Sequence, residues 1–339
     1  MVTREDVIRA MEGDGGIHPP AVFTQSATTS QMEACGSRWP EANFDGDAMV
    51  RLSLQLNRSF GFASARVPFD LTNEAEAFGC GINPGREAIQ TSVASSPYRR
   101  DGCIPDVSDD LPPVDVFLSS GRLPTVVSAA GRISGRGELF LTAGMNGPFA
   151  LVNSLLGVEN VLIGLLMEPE AVQRWLTAVT PYLSAYAHTL SEVADNVQIM
   201  EESGTDITPP YMFKTVIGDH LPEVVSAAHG SFTTIHSCGN TFPVAAELSR
   251  IGSDALSVEA SSDPVGYRDL VGGSVRLVGG IDTVRTLLSG SPADVAASAR
   301  NAADAGFDVV APECGVPPRT SDGNLRALAG YLGGRGYRP

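Results

Sequence analysis

Short apolar runs rich in β-branched residues alternate with longer stretches whose apolar positions recur at helical spacing, from one end of the chain to the other. Eight runs read as strands: 21–25, 65–69, 138–144, 197–202, 231–236, 255–259, 275–279 and 307–311. Between the later runs lie three clear helices. The stretch 209–228 opens on prolines, which suit a first helical turn because the N–H they lack has no partner there. The stretch 240–251 carries its apolar residues at helical spacing, and 292–305 follows Ser291, a good N-cap, and stops at Gly306. At the start, 1–13 is a charged amphipathic stretch with Thr3 as N-cap, and 121–137 fits either a helix or a hairpin.

Alternation of this kind implies parallel strands joined by crossover helices, and eight such units predict closure into a (β/α)8 TIM barrel of the α/β class. A doubly wound open sheet is the alternative. It normally carries a Gly-rich phosphate turn after a strand, and no G-x-G-x-x-G or Walker pattern occurs in that place here. No boundary divides 1–339, which reads as one barrel domain with an N-terminal helical extension. The segment 83–123, rich in Pro, Ser, Asp and Gly, is expected as a long loop over one end of the barrel, a lid or a partner-facing surface.

Composition narrows the function classes. With 23 basic and 39 acidic residues the formal charge is −16, a surface that repels a phosphate backbone, so no nucleic acid is expected as partner. Lys214 is the only lysine. The acidity reads as a compositional bias of the source or, more sharply, as a docking surface. Five cysteines far apart (Cys35, Cys80, Cys103, Cys238 and Cys314) make no disulfide framework. The first residues do not read as a signal peptide, and apolar runs such as 161–167 are too short to span a bilayer. A cytoplasmic protein without membrane insertion is expected.

The chemistry concentrates in Phe232-Thr-Thr-Ile-His236-Ser237-Cys238-Gly239-Asn240. Residues two apart on a strand share a side, so His236 and Cys238 project together from the C-terminal end of a strand, where barrel active sites lie. Cys314 follows the last strand onto the same face. One imidazole and two thiolates suit zinc, and three ligands with an open fourth position are the pattern of a catalytic rather than a structural site. Taken alone the pattern is equally that of buried free cysteines and a hydrogen-bonded histidine. Glu259 ends the neighbouring strand and shares a face with Ser257. It is either a further metal ligand or nearby carboxylate, or half of an ion pair with an arginine.

An ordered set of motifs then points to a family. It comprises His236-Ser-Cys238-Gly-Asn-Thr, Ala255-Leu-Ser-Val-Glu259, Leu277-Val-Gly-Gly-Ile-Asp282 and Ala311-Pro-Glu313-Cys314-Gly-Val-Pro-Pro. Gln25-Ser-Ala-Thr, Arg66-Val-Pro-Phe-Asp70-Leu-Thr-Asn-Glu and Gly147-Pro-Phe extend it into the first half. Over nearly its whole length the chain resembles the methylcobamide:coenzyme M methyltransferases of the uroporphyrinogen decarboxylase-like superfamily. The resemblance implies a uroporphyrinogen decarboxylase-like (β/α)8 barrel with His236, Cys238 and Cys314 as zinc ligands and catalytic centre. It implies methyl transfer from a methylated corrinoid to coenzyme M in methylotrophic methanogenesis. The corrinoid would ride on a separate corrinoid protein, because no Asp-x-His-x-x-Gly cobalt-binding pattern is present. Two positions depart from the family. Glu313 stands where glycine is usual, so Glu259 or Glu313 is the exchangeable fourth ligand, and Ser237 replaces a bulkier apolar residue but should point away.

Further candidates are looser. Asp70 and Asp206, each after a strand, either orient substrate or form structural salt bridges. The sulfonate of coenzyme M calls for Arg66 or Arg319, or for backbone N–H groups in 144–148 around Asn146. Rival readings are another acceptor (tetrahydrofolate or a different thiol), a decarboxylase that needs no metal, and a zinc-stabilised binding subunit.

Overall fold

The computed structural model describes residues 2–14, 16–107, 110–202 and 204–335. Seven strands form one all-parallel sheet in sequence order: β1 (Ser64–Val67), β4 (Phe140–Asn146), β5 (Asn196–Glu201), β6 (Phe232–Ser237), β7 (Ala255–Val258), β8 (Arg276–Ile281) and β9 (Val309–Pro312). A separate antiparallel hairpin pairs β2 (Gly81–Asn83) with β3 (Ser92–Ser95).

The expected first strand, 21–25, does not form. The chain there nevertheless reaches both edges of the sheet. On one side Pro20 makes a single parallel bridge to Val310, with Ala21 N donating to Val310 O (3.1 Å) and Val310 N to Pro19 O (3.1 Å). On the other side the link runs through side chains: Val22 N donates to Ser64 Oγ (3.0 Å) and Arg66 Nε to Phe23 O (2.7 Å). Pro19 and Pro20, just before the stretch, have no N–H to give a ladder, although Pro19 O still accepts from Val310.

Alternation along the strands sets an inner and an outer face. At the N-terminal end of the sheet, Phe23 stacks on Phe140 (centroids 5.3 Å apart) and Phe140 meets Phe232 at a tilt (6.2 Å), among Ala255, Val278 and Val309. The helix Arg4–Glu12 packs Val7, Ala10 and Met11 against this layer, and its Thr3 forms the expected N-cap as half of a capping box with Asp6. On the outer face the 23-residue helix Pro169–Ser191 buries Val172, Trp175, Leu176, Val179, Leu183, Tyr186 and Leu190, a stripe at helical spacing.

Of the expected helices, Pro292–Asp304 appears with its Ser291 capping box, and 121–137 resolves as the helix Leu123–Ser134. The stretch 209–228 is helical but broken into a π turn, Phe213–Ile217, a 3-10 turn and the helix Leu221–Ala227. Pro222 lacks the N–H that would bond Gly218 O, so the regular ladder fails there. Likewise 240–251 shrinks to a 3-10 turn at Pro243 and a short helix, Ala245–Leu248. The 83–123 segment is no simple lid. Its second half lies along the long helix, where Trp175 Nε1 donates to Pro105 O and Tyr182 Oη to Pro112 O (both 2.7 Å). Among the described residues no single helix is long and apolar enough to cross a membrane; Pro148–Leu156 and Val158–Met167 qualify only together, across a 110° bend.

Candidate metal centre

The parallel register places Ser257 of β7 directly beside His236 of β6. Ser257 Oγ lies 2.9 Å from His236 Nδ1, which fixes the ring and turns Nε2 towards Cys238 Sγ at 3.2 Å. Cys314, just past β9, brings its Sγ to 3.2 Å from that of Cys238. The three donor atoms lie within 4.8 Å of one another. His236 is buried, Cys314 half-buried and Cys238 exposed to a cavity.

The donor set fits a zinc-like ion. With bonds of ~2.3 Å and a tetrahedral angle, two coordinated sulfurs sit about 3.8 Å apart. Small χ rotations from the observed 3.2 Å are enough to reach that spacing. The two thiols hydrogen-bond one another. That bond pushes Cys238 up, and burial adds to the effect. The same bond pulls Cys314 down, helped by His236. A soft metal takes both as thiolates.

Two carboxylates stand behind the sulfurs. Glu259 is half-buried, and burial raises its pKa while the Gly239 N–H beside it pulls it back. Its oxygens fall outside the three-donor group, and among the described residues it makes no ion pair with arginine. Glu313 is fully engaged elsewhere. Oε1 accepts from Ala260 N (2.7 Å) and Ser261 N, and Oε2 from Ser261 Oγ (2.8 Å). Burial pushes its carboxyl up to about 7.

A cavity of about 420 Å³ opens on Cys238 and Gly239. Phe149, Val158, Leu162 and Ile207 give it apolar walls, and Glu202, Asp206 and Asn153 supply its polar groups. Asp206 Oδ2 accepts from Asn240 N (2.7 Å), so this residue secures the loop carrying Cys238. Gly204 permits the close approach: a Cβ there would sit 2.3 Å from Cys238 O.

The chain matches the model of the uroporphyrinogen decarboxylase (URO-D) family over residues 2–332. It belongs to the uroporphyrinogen decarboxylase family. Among its relatives in that family, a methylcobamide:CoM methyltransferase MtbA of Methanosarcina mazei is 32% identical over 96% of both chains. A methylcobamide:CoM methyltransferase MtaA of Methanosarcina barkeri is 30% identical over 91% of both. A solved methyltransferase from Methanosarcina mazei superposes with a TM-score of 0.92 at 28% identity, covering 98% of this chain and 99% of that one.

The looser candidates divide: Asp206 lines the cavity with Cys238, and the others are engaged by their own neighbours or lie in another cleft. Asp70 is buried in a salt bridge with Arg122 (2.8 Å), the structural alternative. Asn146 gives its N–H and side-chain amide to Glu74 (2.9 and 2.7 Å), and Gly147 N donates to Met200 O, so the donors at these positions are taken. Arg66 is wholly buried, its Nε and Nη1 on the carbonyls of Phe23 and Pro68, and desolvation lowers its pKa to about 9. Exposed Arg319 lines a different cleft, of about 620 Å³, with Arg86, Thr29 and Pro317. Ser237 is buried.

Sequence reasoning missed Ser257 as the partner of His236, although it shares a strand face with Glu259. It also missed Glu202, whose signal was a pair of acids closing an apolar strand. Glu202 is held by Asn153 (2.7 Å), and burial raises its pKa.

Proposed function

We propose that this chain is a methyltransferase that moves a methyl group from a methylated corrinoid to the thiol of coenzyme M, with zinc held by His236, Cys238 and Cys314. The observation that carries the reading is the three-donor cluster, one member of which, Cys238, lines a cavity with apolar walls. The printed activities of its relatives supply the donor and acceptor classes. Zinc bound there would ionise the incoming thiol, which with a free pKa near 8.5 is only about 3% thiolate at neutral pH, an advantage of about 2 kcal/mol.

The chain's own groups do the rest. Ser257 holds the imidazole so that Nε2 faces the sulfurs, and the two cysteine sulfurs keep negative charge at the centre. With zinc bound, Glu259 would be the carboxylate to hold the fourth position until a thiol takes it, while Glu313 stays with the 260–261 turn. Phe149, Val158, Leu162 and Ile207 line the way to Cys238 and would offer the corrinoid an apolar approach. In the transfer a sulfur–carbon bond forms as the cobalt–carbon bond breaks. The bond's electron pair stays on cobalt, taking Co(III) to Co(I), and the thiol proton leaves for solvent. The fold reading is a (β/α)8 barrel in one domain, with 20–26 in the place of the eighth strand. A separate corrinoid protein is the expected methyl carrier, in the cytoplasm, within a methylotrophic methanogenic route. A decarboxylase would leave the donor cluster without a role, and a merely structural zinc would not border an open cavity.

The test is an anaerobic acceptor panel. Zinc-loaded protein is mixed with free methylcobalamin and coenzyme M, another thiol or tetrahydrofolate, and the corrinoid spectrum is followed. Demethylation with coenzyme M is expected. Methylcobalamin left untouched by coenzyme M but consumed with tetrahydrofolate would reassign the acceptor.

A further inference from the structure

The three donor residues sit on two strand ends, β6 and β9, that are separated in the sheet by β7 and β8. Strand hydrogen bonds end below the rim, so something else must set the distance between the two sulfurs. The carboxylate of Glu313, the residue before Cys314, reaches across the top of β8 to the turn that follows β7. There it takes the N–H groups of Ala260 and Ser261 and the hydroxyl of Ser261. The backbone of Glu313 is itself anchored, its N–H donating to Ile281 O at the end of β8 (3.0 Å). Gly279 of β8, at φ +144°, leaves the passage clear: a Cβ there would sit 2.8 Å from Val258 O and 3.7 Å from Glu313 Cγ. The clamped turn starts at the residue after Glu259, whose carboxylate lies beside the N–H of Gly239, the residue after Cys238.

A continuous path therefore runs Cys314, Glu313, the 259–261 turn, Gly239, Cys238. We infer that Glu313 is a positioning residue that clamps the 259–261 turn to the end of β9 and so presets the spacing of Cys314, Glu259 and Cys238 for a metal ion. The inference rests on the metal reading above but not on the identity of the methyl donor or acceptor. The Glu313 carboxylate is spent on these three bonds, one of them buried and two part-buried, so removing it frees the turn without touching a donor atom. Glutamine keeps an acceptor for the two N–H groups and an amide for the hydroxyl, and should preserve the clamp.

Metal binding to the full-length protein tests this without any turnover. Zinc affinity is read by chelator competition, and the ligand field by the visible spectrum of the Co(II) form. Glu313→Ala should weaken zinc about tenfold to a hundredfold, the usual cost of losing an outer partner of a ligand set, and alter the Co(II) bands. Glu313→Gln should restore both. If Glu313→Ala does not fold, Ser261→Ala, which removes one of the three bonds, should still shift affinity and spectrum in the same direction. Folded Glu313→Ala with wild-type affinity and spectrum, or an unshifted Ser261→Ala, overturns the clamp alone. Wild-type protein that binds neither ion overturns the metal reading with it.

Discussion

Two clusters of polar side chains lie at or just past the C-terminal ends of sheet strands, and both look reactive in sequence. Past β1, Asp70 meets Arg122, which also donates to Glu76 (2.6 Å), Thr72 and Asn43 O, while Asp70 takes the N–H and hydroxyl of Thr72. Each charge there has an opposite charge or a donor. Past β6 and β9, the donors of His236, Cys238 and Cys314 face one another, and the cluster borders a cavity. Strand-end position alone does not distinguish them. What does is whether the groups satisfy one another or converge on a common point that a ligand could occupy.

The comparison breaks most visibly under mutation. Cys314→Ala should cost more than a hundredfold in methyl transfer, beyond the ~10–100-fold typical of losing a group that only hydrogen-bonds a ligand. The same change should leave stability within about 1 kcal/mol, since a large fold does not depend on one metal ligand. Arg122→Ala should behave in the opposite way, losing about 3–5 kcal/mol because Asp70 is left buried and uncompensated, with turnover per bound zinc unchanged. Chemical denaturation together with an assay normalised to metal content reads both. If Arg122→Ala abolished turnover in folded, zinc-loaded protein, the β1 cluster would belong to the site.

Smaller effects sharpen the contrast. Gly144→Ala places a Cβ 2.1 Å from Arg66 Nη2, which is fully buried and cannot retreat. Overpacking of this kind should cost about 1–3 kcal/mol in thermal or urea unfolding. A pH effect should also be traceable to Glu201, buried against the N-terminus of Pro148–Leu156. It accepts from Phe149, Ala150 and Glu202 N–H groups, yet burial pushes its carboxyl up to about 8. The folded state then holds this proton longer than the unfolded chain. The contribution is present at low pH and is lost as pH rises from about 4.5 through 8. Glu201→Gln should flatten that part of the stability–pH curve, and an unchanged slope would remove Glu201 as its source.

Period-two alternation brought the donor residues to one end of the sheet, and the family resemblance singled them out as ligands. Alternation put His236 and Cys238 on one face, added Glu259 on the next strand, and ended the last strand just before Cys314. What stayed hidden depended on tertiary neighbours. Ser257 becomes the partner of His236 only through the β6–β7 register. The apolar cavity joins Phe149, Leu162 and Ile207 from three separate segments. The strand-like run 21–25 meets the sheet only through isolated bridges at Pro20 and Ser26 and through the side chains of Ser64 and Arg66. Glu313 was legible as a second carboxylate near the donor residues, but its direction was not, because the N–H groups that capture it come from a turn some fifty residues earlier.

The most direct test of the central claim is zinc-edge X-ray absorption of the reconstituted protein before and after coenzyme M is added. The account predicts one nitrogen and two sulfur ligands from the chain, with a third sulfur appearing when the thiol binds. A sulfur count that stays at two with saturating coenzyme M would contradict thiol activation at this centre.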